Sequence, residues 1–540
     1  MICPSRHFAS NCRCLQQAEV VSPFFPTCGT MEPEKFFNPL FFRRFSMLYQ
    51  PSRREFLQTA AATGVGVWVF AGSSPKVSAS PNERLAFAGI GVSGKGDSDI
   101  SNAARFADIV ALCDTDKVRL NGANRRYPNA KIYTDYRKLF DEMEKSIDGA
   151  TISTADHMHA PQGLMAMRMK KHVYVQKPLA RTMYECRLMA KVAKETGVCT
   201  QMGNHGSAGD GLRRDAAEIK AGMYGDVKEL HVWTNRPIWP QGPETIRTMA
   251  AYEEKVRREN PERAEQLIAN MKRDTERRLR DVDWDLWLGV AKPREFFPGE
   301  KPSIYHPFGW RGWWDFGTGA LGDIACHSLN KYMKALDLSA PISVVARTSG
   351  HDFDVFPQSS EIVFEYPDTP TRKGFKFVWY DGGWFPSREF LKQHQFDYPD
   401  PMPEGGDIII GSEGVRGHGR HVQKQGVTVP EVQYAPKYAE ADGSIPGQND
   451  DVRNMFELMT AIKENKPELC FSNFVTQAGP LTEAMLLGNL AVWTASKPNE
   501  WGEKVKWDSA SMTITNLAEL KTPGVAELIK PVYRQGYTLD

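Results

Sequence analysis

The chain predicts an α/β protein that opens on a parallel sheet with helical crossovers, and three observations carry that prediction. A short apolar strand at residues 84–88 runs directly into Gly89-Ile90-Gly91-Val92-Ser93-Gly94, a GxGxxG turn leading into a helical stretch. A second apolar run, 109–113, ends on Asp114, about twenty residues past Gly94. Strand-like and helix-like segments then alternate as far as residue 196, the pattern that builds right-handed parallel crossovers.

Taken in order, the glycine turn has a mechanical reading. Gly89 permits the tight turn, Gly91 lets a pyrophosphate approach the backbone, and Gly94 allows close packing of helix on strand. The helix that follows offers unpaired N–H groups and a partial positive charge to phosphate. Asp114 is placed to accept ribose hydroxyls and repel a 2′-phosphate, so the expected cofactor is NAD, with NADP less favoured. Arg119, Arg125 and Arg126 lie downstream and keep a phosphate contact open; a plain β-turn with a surface aspartate is the bland alternative. Next come a strand at 130–133, a helix at 135–144, a strand at 149–154, a helix from about 161 to 171, a strand at 172–175 and a helix at 182–196. Ligands on such sheets sit at the carboxyl ends of the strands. Ser153, Thr154, Asp156, His157, His159, Gln176, Lys177 and Pro178 all fall there.

Composition bounds the rest. The 540 residues suggest two to four domains, and 67 Lys and Arg against 66 Asp and Glu leave a net charge of +1, without the basic excess of a nucleic-acid binder. Hydrophobic residues at 41% argue for folded structure, and a mean hydropathy of −0.45 excludes a polytopic membrane protein. Nine cysteines are too sparse for a disulfide scaffold, and four of them (Cys3, Cys12, Cys14, Cys28) lie in a stretch, 1–46, with no apolar period. Met47 is a candidate start. Just after it, Ser52-Arg53-Arg54-Glu55-Phe56-Leu57 is a twin-arginine motif, followed by an apolar run at 59–72 and a small-residue exit, Val77-Ser78-Ala79. An exported, periplasmic protein without stable membrane association is the expectation; a chance Arg-Arg before a core helix and an uncleaved anchor are the alternatives.

Two further segments carry chemistry. Lys177 follows a strand in Val175-Gln176-Lys177-Pro178, where a desolvated amine suits proton handling or binding of a substrate oxygen; in isolation Lys-Pro is usually a solvated turn. In the second half, 310–322 is rich in Trp and Gly and leads into Asp323-Ile324-Ala325-Cys326-His327. A helix there puts Asp323 and His327 on one face, as an orienter and base pair. His157-x-His159 with Asp323-xxx-His327 is the rival metal reading, but no Cys pairs or HExxH run accompany them, so no metal is expected. His306, His351, His418 and His421 have no such context and read as surface or loop residues.

Together these motifs resemble the glucose–fructose oxidoreductase/inositol dehydrogenase (Gfo/Idh/MocA) family, over residues 83–500 or so. The resemblance implies a Rossmann parallel sheet followed by an α/β domain with a largely antiparallel open sheet, and carbohydrate or polyol substrates. It also implies catalytic roles for Lys177, Asp323 and His327. The cofactor-binding residues are expected to be Gly89, Gly91, Gly94, Asp114, Ser153, Thr154, His157, Gln176 and Lys177. By family position Asn204 and His205 are placed near the nicotinamide. Arg311, Trp313 and Trp314 sit beside the catalytic segment and are candidate sugar contacts, with a core role as the alternative. The family usually has Glu-Lys-Pro where this chain has Gln176, and an acid where it has Asn330.

The expected organisation is an N-terminal extension and export signal at 1–79, an NAD-binding domain at 82–203, a substrate domain at 204–500 and a C-terminal arm at 501–540. Within the substrate domain, 227–233, 361–366 and 374–380 alternate as strands, and 245–281 reads as a solvated helical insertion. Residues 399–450 read as irregular loops, and 477–496 as an amphipathic helix. The many indoles (Trp239, Trp284, Trp287, Trp310, Trp313, Trp314, Trp379, Trp384) suit sugar faces or, more blandly, a core. The expected function is an exported NAD-dependent oxidoreductase acting on a secondary hydroxyl of a sugar, in a homo-oligomer. Because free nicotinamide cofactor is scarce outside the cytoplasm, the cofactor is expected to be carried out with the protein. A glycosidase using bound NAD through a keto intermediate and elimination is one alternative. A noncatalytic carbohydrate-binding protein is another.

Overall fold

A computed structural model describes residues 84–300, 303–439 and 449–539; the segment read as an export signal, within 1–79, lies outside them. The first unit alternates strictly: β1 (Leu85–Ile90), α1 (Lys95–Ala104), β2 (Ala107–Cys113), α2 (Lys117–Asn124), β3 (Lys131–Tyr133), α3 (Tyr136–Met143), β4 (Gly149–Ile152), α4 (Asp156–Arg168), β5 (His172–Val175), α5 (Met183–Thr196), β6 (Thr200–Met202) and α6 (Asp210–Lys220). Its six strands are all parallel, in the order β3-β2-β1-β4-β5-β6. Local chemistry starts these helices where the sequence suggests. Asp116 accepts from the Val118 and Arg119 N–H groups to cap α2, Asp135 caps α3, and Thr182 with Glu185 forms a reciprocal capping box on α5.

The second unit contributes β7 (Val227–Thr234), α7 (Met249–Glu259), α8 (Ala264–Asp281), α9 (Trp284–Leu288), α10 (Gly319–Ser328), α11 (Asn330–Leu336), β8 (Ser343–Thr348), β9 (Ser360–Tyr366), β10 (Phe375–Asp381), α12 (Arg388–Gln393), β11 (Gly405–Gly411), β12 (Val415–Gly417), β13 (Arg420–Val422), α13 (Asp450–Glu464), α14 (Gly479–Thr494), β14 (Val505–Asp508) and β15 (Thr513–Ile514). Its nine strands run β13-β12-β11-β7-β10-β9-β8-β14-β15, antiparallel except where β10 meets β7.

Four elements differ from expectation. Helix α4 begins at Asp156, five residues before Pro161, which sits inside it. Buried contacts on both sides hold this turn helical despite the proline preference for a first-turn position. The 399–450 stretch is not wholly irregular: its β11 to β13 extend the sheet, β11 pairing along β7. Helix α14 is not amphipathic. It is buried nearly all round, between α5 of the first unit and β8 and β9 of the second, because it is the layer both units share. The charged insertion is indeed two helices, but Tyr252, Val256, Ala264 and Ile268 bury an apolar face against Trp287 and Phe297.

The two halves of the chain are sewn together by α13, which returns from the second half to pack on α1, β5 and β6. Its Glu457 is paired with Arg213 of α6, Nη2 to Oε1 at 2.7 Å, with both side chains only 3% exposed. The other carboxylate oxygen accepts from Gln201 Nε2 at 2.9 Å and the Phe471 N–H at 3.1 Å. Removing the cation leaves this carboxylate buried and under-compensated. Arg213→Met is therefore expected to cost about 3–5 kcal/mol, read as a lowered urea midpoint at unchanged slope. A loss below ~1 kcal/mol would show that solvent reaches the pair.

Candidate functional site: a cleft shared by the two units

A cavity of about 610 Å³, in the usual range for ligand sites, runs from the glycine turn to helix α10. One end is walled by Gly91, Gly94, Asp114 and Arg119, the other by Lys177, His205, Trp310, Arg311 and His327. The glycine turn fits a dinucleotide. Gly91 has φ +78°, and a Cβ there would lie 2.5 Å from the Ser153 carbonyl oxygen; Gly94, with φ +62°, opens α1. Close packing falls to other glycines than the motif suggests. A Cβ on Gly89 would strike Ile100, and one on Gly96 would overlap the Gly91 carbonyl, while Gly94 has open space around it.

Asp114 ends β2 with its carboxylate accepting from the Val92 N–H (3.0 Å) and the Asp116 N–H (2.9 Å), at the place a ribose diol would occupy. Burial raises its pKa, and these two bonds oppose that. Arg119 is held by Asp116 and the Ser93 hydroxyl, and Arg126 pairs instead with Asp97 away from the cleft. Ser153 donates to Asp99 at 2.7 Å and Gln176 Nε2 donates to the same carboxylate at 2.8 Å. Asp99 is 1% exposed and ion-paired with Lys95, so the acid missing at 176 has a counterpart in α1. Nothing in the local sequence marks Asp99; its partner is 77 residues away.

At the other end Lys177 Nζ donates to both the main-chain carbonyl and Oδ1 of Asp323, each at 2.8 Å, leaving one of its three N–H groups for a ligand. Arg311 Nε reaches the same Oδ1 at 3.2 Å, its guanidinium lying 4.2 Å over the Trp310 ring. Burial pushes the Asp323 carboxyl up, and the Lys177 and Arg311 cations override that to hold it at about 2. Asp323 thus orients Lys177. It makes no hydrogen bond to His327, although helix α10 carries both. Burial and the Lys177 cation push the His327 ring down to about 3, so it stands neutral and able to accept a proton.

The remaining expectations sort by position. His157 sits on the cleft, its Nε2 at 3.1 Å from the Trp287 carbonyl. His159 is buried between the carbonyls of Pro178 (2.8 Å) and Thr154 (3.1 Å), where it ties the Lys177 turn to the end of β4. Thr154 lines the cleft and donates to Gln162. Asn204 is fully buried and donates to the Cys326 carbonyl at 3.2 Å, fixing α10 rather than meeting substrate. Trp313 is 0% exposed with its indole N–H on the Ile304 carbonyl, and Trp314 stacks on Phe356 at 3.7 Å; both are core, not sugar contacts. The indoles on the cleft are Trp287 and Trp310. His306 is not a bare loop residue but lines the cleft, 2.9 Å from Asp116, and His351 is buried against the Val492 carbonyl.

Sequence reasoning missed the cover over the nucleotide end. The Asp283 N–H reaches the Thr115 carbonyl at 2.9 Å, and Leu286, Trp287 and 306–308 overlie the cleft. Arg534 clasps this segment through the carbonyls of Gly289 and Asp285, and Tyr537 completes the wall under the Arg137 guanidinium. Among the described residues no three His, Cys, Asp or Glu side chains gather as a metal ligand set, and no helix is long and apolar enough to cross a membrane.

Residues 84–204 match the model of an oxidoreductase family's NAD-binding Rossmann fold, and 268–372 match the same family's C-terminal α/β domain. Among curated proteins, a glycosyl hydrolase family 109 protein of Solibacter usitatus is 31% identical over 194 residues, 33% of this chain and 44% of that one. An inositol 2-dehydrogenase of Salmonella paratyphi B is 28% identical over 99 residues, covering 18% and 29%. The chain thus spans less than half the length of these relatives. Among solved structures, the WlbA dehydrogenase of Bordetella pertussis, in complex with NADH and UDP-GlcNAcA, is 14% identical with a TM-score of 0.46, covering 79% of this chain and all of that one. Two segments of the chain, 84–204 and 268–372, are thus similar to the NAD-binding Rossmann domain and the C-terminal α/β domain of the Gfo/Idh/MocA oxidoreductases.

Proposed function

We propose that the protein is an exported, NAD-dependent oxidoreductase acting on a secondary hydroxyl of a sugar or sugar derivative. The observation that carries it is the meeting of a Lys177–Asp323 ion pair and a neutral His327 in the same cleft as the glycine turn. Bound NAD supplies the hydride acceptor. The protein's own groups do the rest: the free N–H of Lys177 holds the reacting oxygen and offsets negative charge on it, and His327 takes the hydroxyl proton. Trp310 and the apolar cover around Trp287 exclude water. The inositol 2-dehydrogenase and the family 109 glycosyl hydrolase among the relatives support a polyol or sugar substrate. Export rests on the twin-arginine motif, and a homo-oligomeric assembly is part of the same proposal.

A second reading is favoured by the cover over the nucleotide end. A cleft clasped by Asp283, His306 and Arg534 suits a nucleotide that stays, and a cofactor that stays must be restored in place. Transient oxidation that acidifies a neighbouring carbon, elimination of the glycosidic oxygen and return of the hydride would do so with no net redox change. Native mass spectrometry of the purified protein, followed by denaturation, is expected to reveal one NAD per chain and the oligomeric state together. Incubation with nitrophenyl glycosides and no added NAD then divides the readings: nitrophenol without net NADH means cleavage, NADH without nitrophenol means oxidation. Protein that carries no dinucleotide and gains none from 1 mM NAD would end both.

A further inference from the structure

The redox-neutral reading, on which this inference rests, needs one group more than oxidation alone. Taking the hydroxyl proton occupies one base. Cleavage also requires removal of a C–H proton from the carbon next to the oxidised one, so a second proton acceptor must face the same space.

We propose that His205 is this second proton-transfer residue, with Asp451 as the carboxylate that positions it. His205 follows β6 and lines the cleft, its side chain 40% exposed. Its Nδ1 lies 2.7 Å from Asp451 Oδ1 in the first turn of α13. That contact selects the tautomer with hydrogen on Nδ1 and turns the lone pair of Nε2 outward as the basic site. The carboxylate does not depend on His205 for its place. Lys95 Nζ also holds Asp451 Oδ1, at 3.0 Å, and is itself ion-paired with buried Asp99 at 2.9 Å. Burial would raise the Asp451 pKa; His205 and Lys95 override it and hold the carboxyl at about 2, so a fixed negative charge is present to stabilise an imidazolium. The His205 and His327 rings stand 5.3 Å apart, centre to centre, close enough to serve protons on adjacent carbons of one sugar ring.

The step balances within the site. The C–H bond breaks and its proton passes to His205 Nε2. The electron pair becomes a carbon–carbon double bond as the bond to the aglycone oxygen breaks, and the imidazolium returns a proton to the departing alkoxide. Lys177 holds the neighbouring carbonyl oxygen, which carries the charge in between. Water would then add across the double bond, its oxygen to the anomeric carbon and its proton to the neighbouring carbon through His205, and a nicotinamide dinucleotide held at the glycine turn would supply the acceptor and the source of the two electrons of the oxidation, so no external oxidant enters.

The test uses full-length protein with its co-purified nucleotide, in D2O, with a panel of hexopyranosides and their 4-nitrophenyl glycosides. Three readouts are followed: absorbance near 340 nm, deuterium in the recovered sugar, and nitrophenol. His205→Asn is expected to keep the nucleotide and the 340 nm change while deuterium uptake and nitrophenol release fall at least ~100-fold. Asp451→Asn, which leaves the ring in place, is expected to lose deuterium uptake in the same selective way but less deeply. Variants that exchange deuterium like wild type, or that lose the 340 nm change as severely as the exchange, overturn the role of His205 alone. Wild-type protein that gives the 340 nm change with no deuterium, or no signal with any sugar, overturns it together with the redox-neutral reading.

Discussion

Lys177→Met is expected to leave a folded protein that keeps its nucleotide and turns over at least ~10²–10³-fold more slowly, with the loss in kcat rather than KM. The wild-type amine spends two N–H groups on Asp323 and presents the third to the cleft, so the substitution removes the donor that meets charge developing on the reacting oxygen. Folding survives because the Asp323 carboxylate still has Arg311 at 3.2 Å. Lys177→Arg should rescue little, since a planar guanidinium cannot make the same two contacts with Asp323 and still point at substrate. An unchanged kcat in Lys177→Met, with nucleotide bound, would remove the residue from the chemistry.

Acid should unfold the protein early. His157 and His327 are pushed by burial to about 3, and His159 and His172 to about 4, from an ordinary value of 6.5. Their partners show why. His172 Nδ1 accepts from the Cys199 N–H at 3.0 Å, a bond only the neutral ring can make, and at His159 two facing carbonyls favour the cation but burial and the nearby Lys177 and Arg311 charges outweigh them. The sign follows from counting protons. Between pH 6.5 and about 4 the unfolded chain protonates these four rings and the native state does not, so stability falls as pH falls. Asp156 and Asp381 work against this, since burial raises both to about 7 and the native state then binds protons the unfolded chain lacks. Smaller shifts run both ways, with His231 and His351 lowered and Asp99 and Asp114 raised. Four histidines against two carboxyls leave a net slope of about 3 kcal/mol per pH unit. Below the ordinary carboxylate range the ionised Asp323, Asp451 and Glu229, each held at about 2, add to the loss. Urea midpoints measured from pH 7 to pH 4 should decline steadily; a flat profile would mean that water enters around these rings.

How far the site could be read in advance depended on how local its chemistry is. The glycine turn, Asp114 and the β–α alternation are written within short windows, and the caps at Asp116, Asp135 and Thr182 mark their helices in place. Lys177 and Asp323 were legible as types at strand and helix ends, although the contact between them spans 146 residues and their pairing was not. Asp99, Lys95 and Asp451 left no trace, because each gains meaning only from a partner far along the chain: Lys95 and Asp451 are 356 residues apart. Helix α14 misled for the opposite reason. A segment wrapped by two units needs apolar groups on every side, so a one-faced pattern was the wrong thing to look for. Trp313 and Trp314 carry the aromatic signature of a sugar platform, but the same surface area filled the interior instead.

The walls of the cleft draw on residues from Ile90 to Tyr537. A polypeptide leaving the ribosome amino end first can form the glycine turn early, yet its chamber has no finished side until nearly the whole chain has emerged. The chamber is thereby completed only late, when the segment that carries Tyr537 is in place.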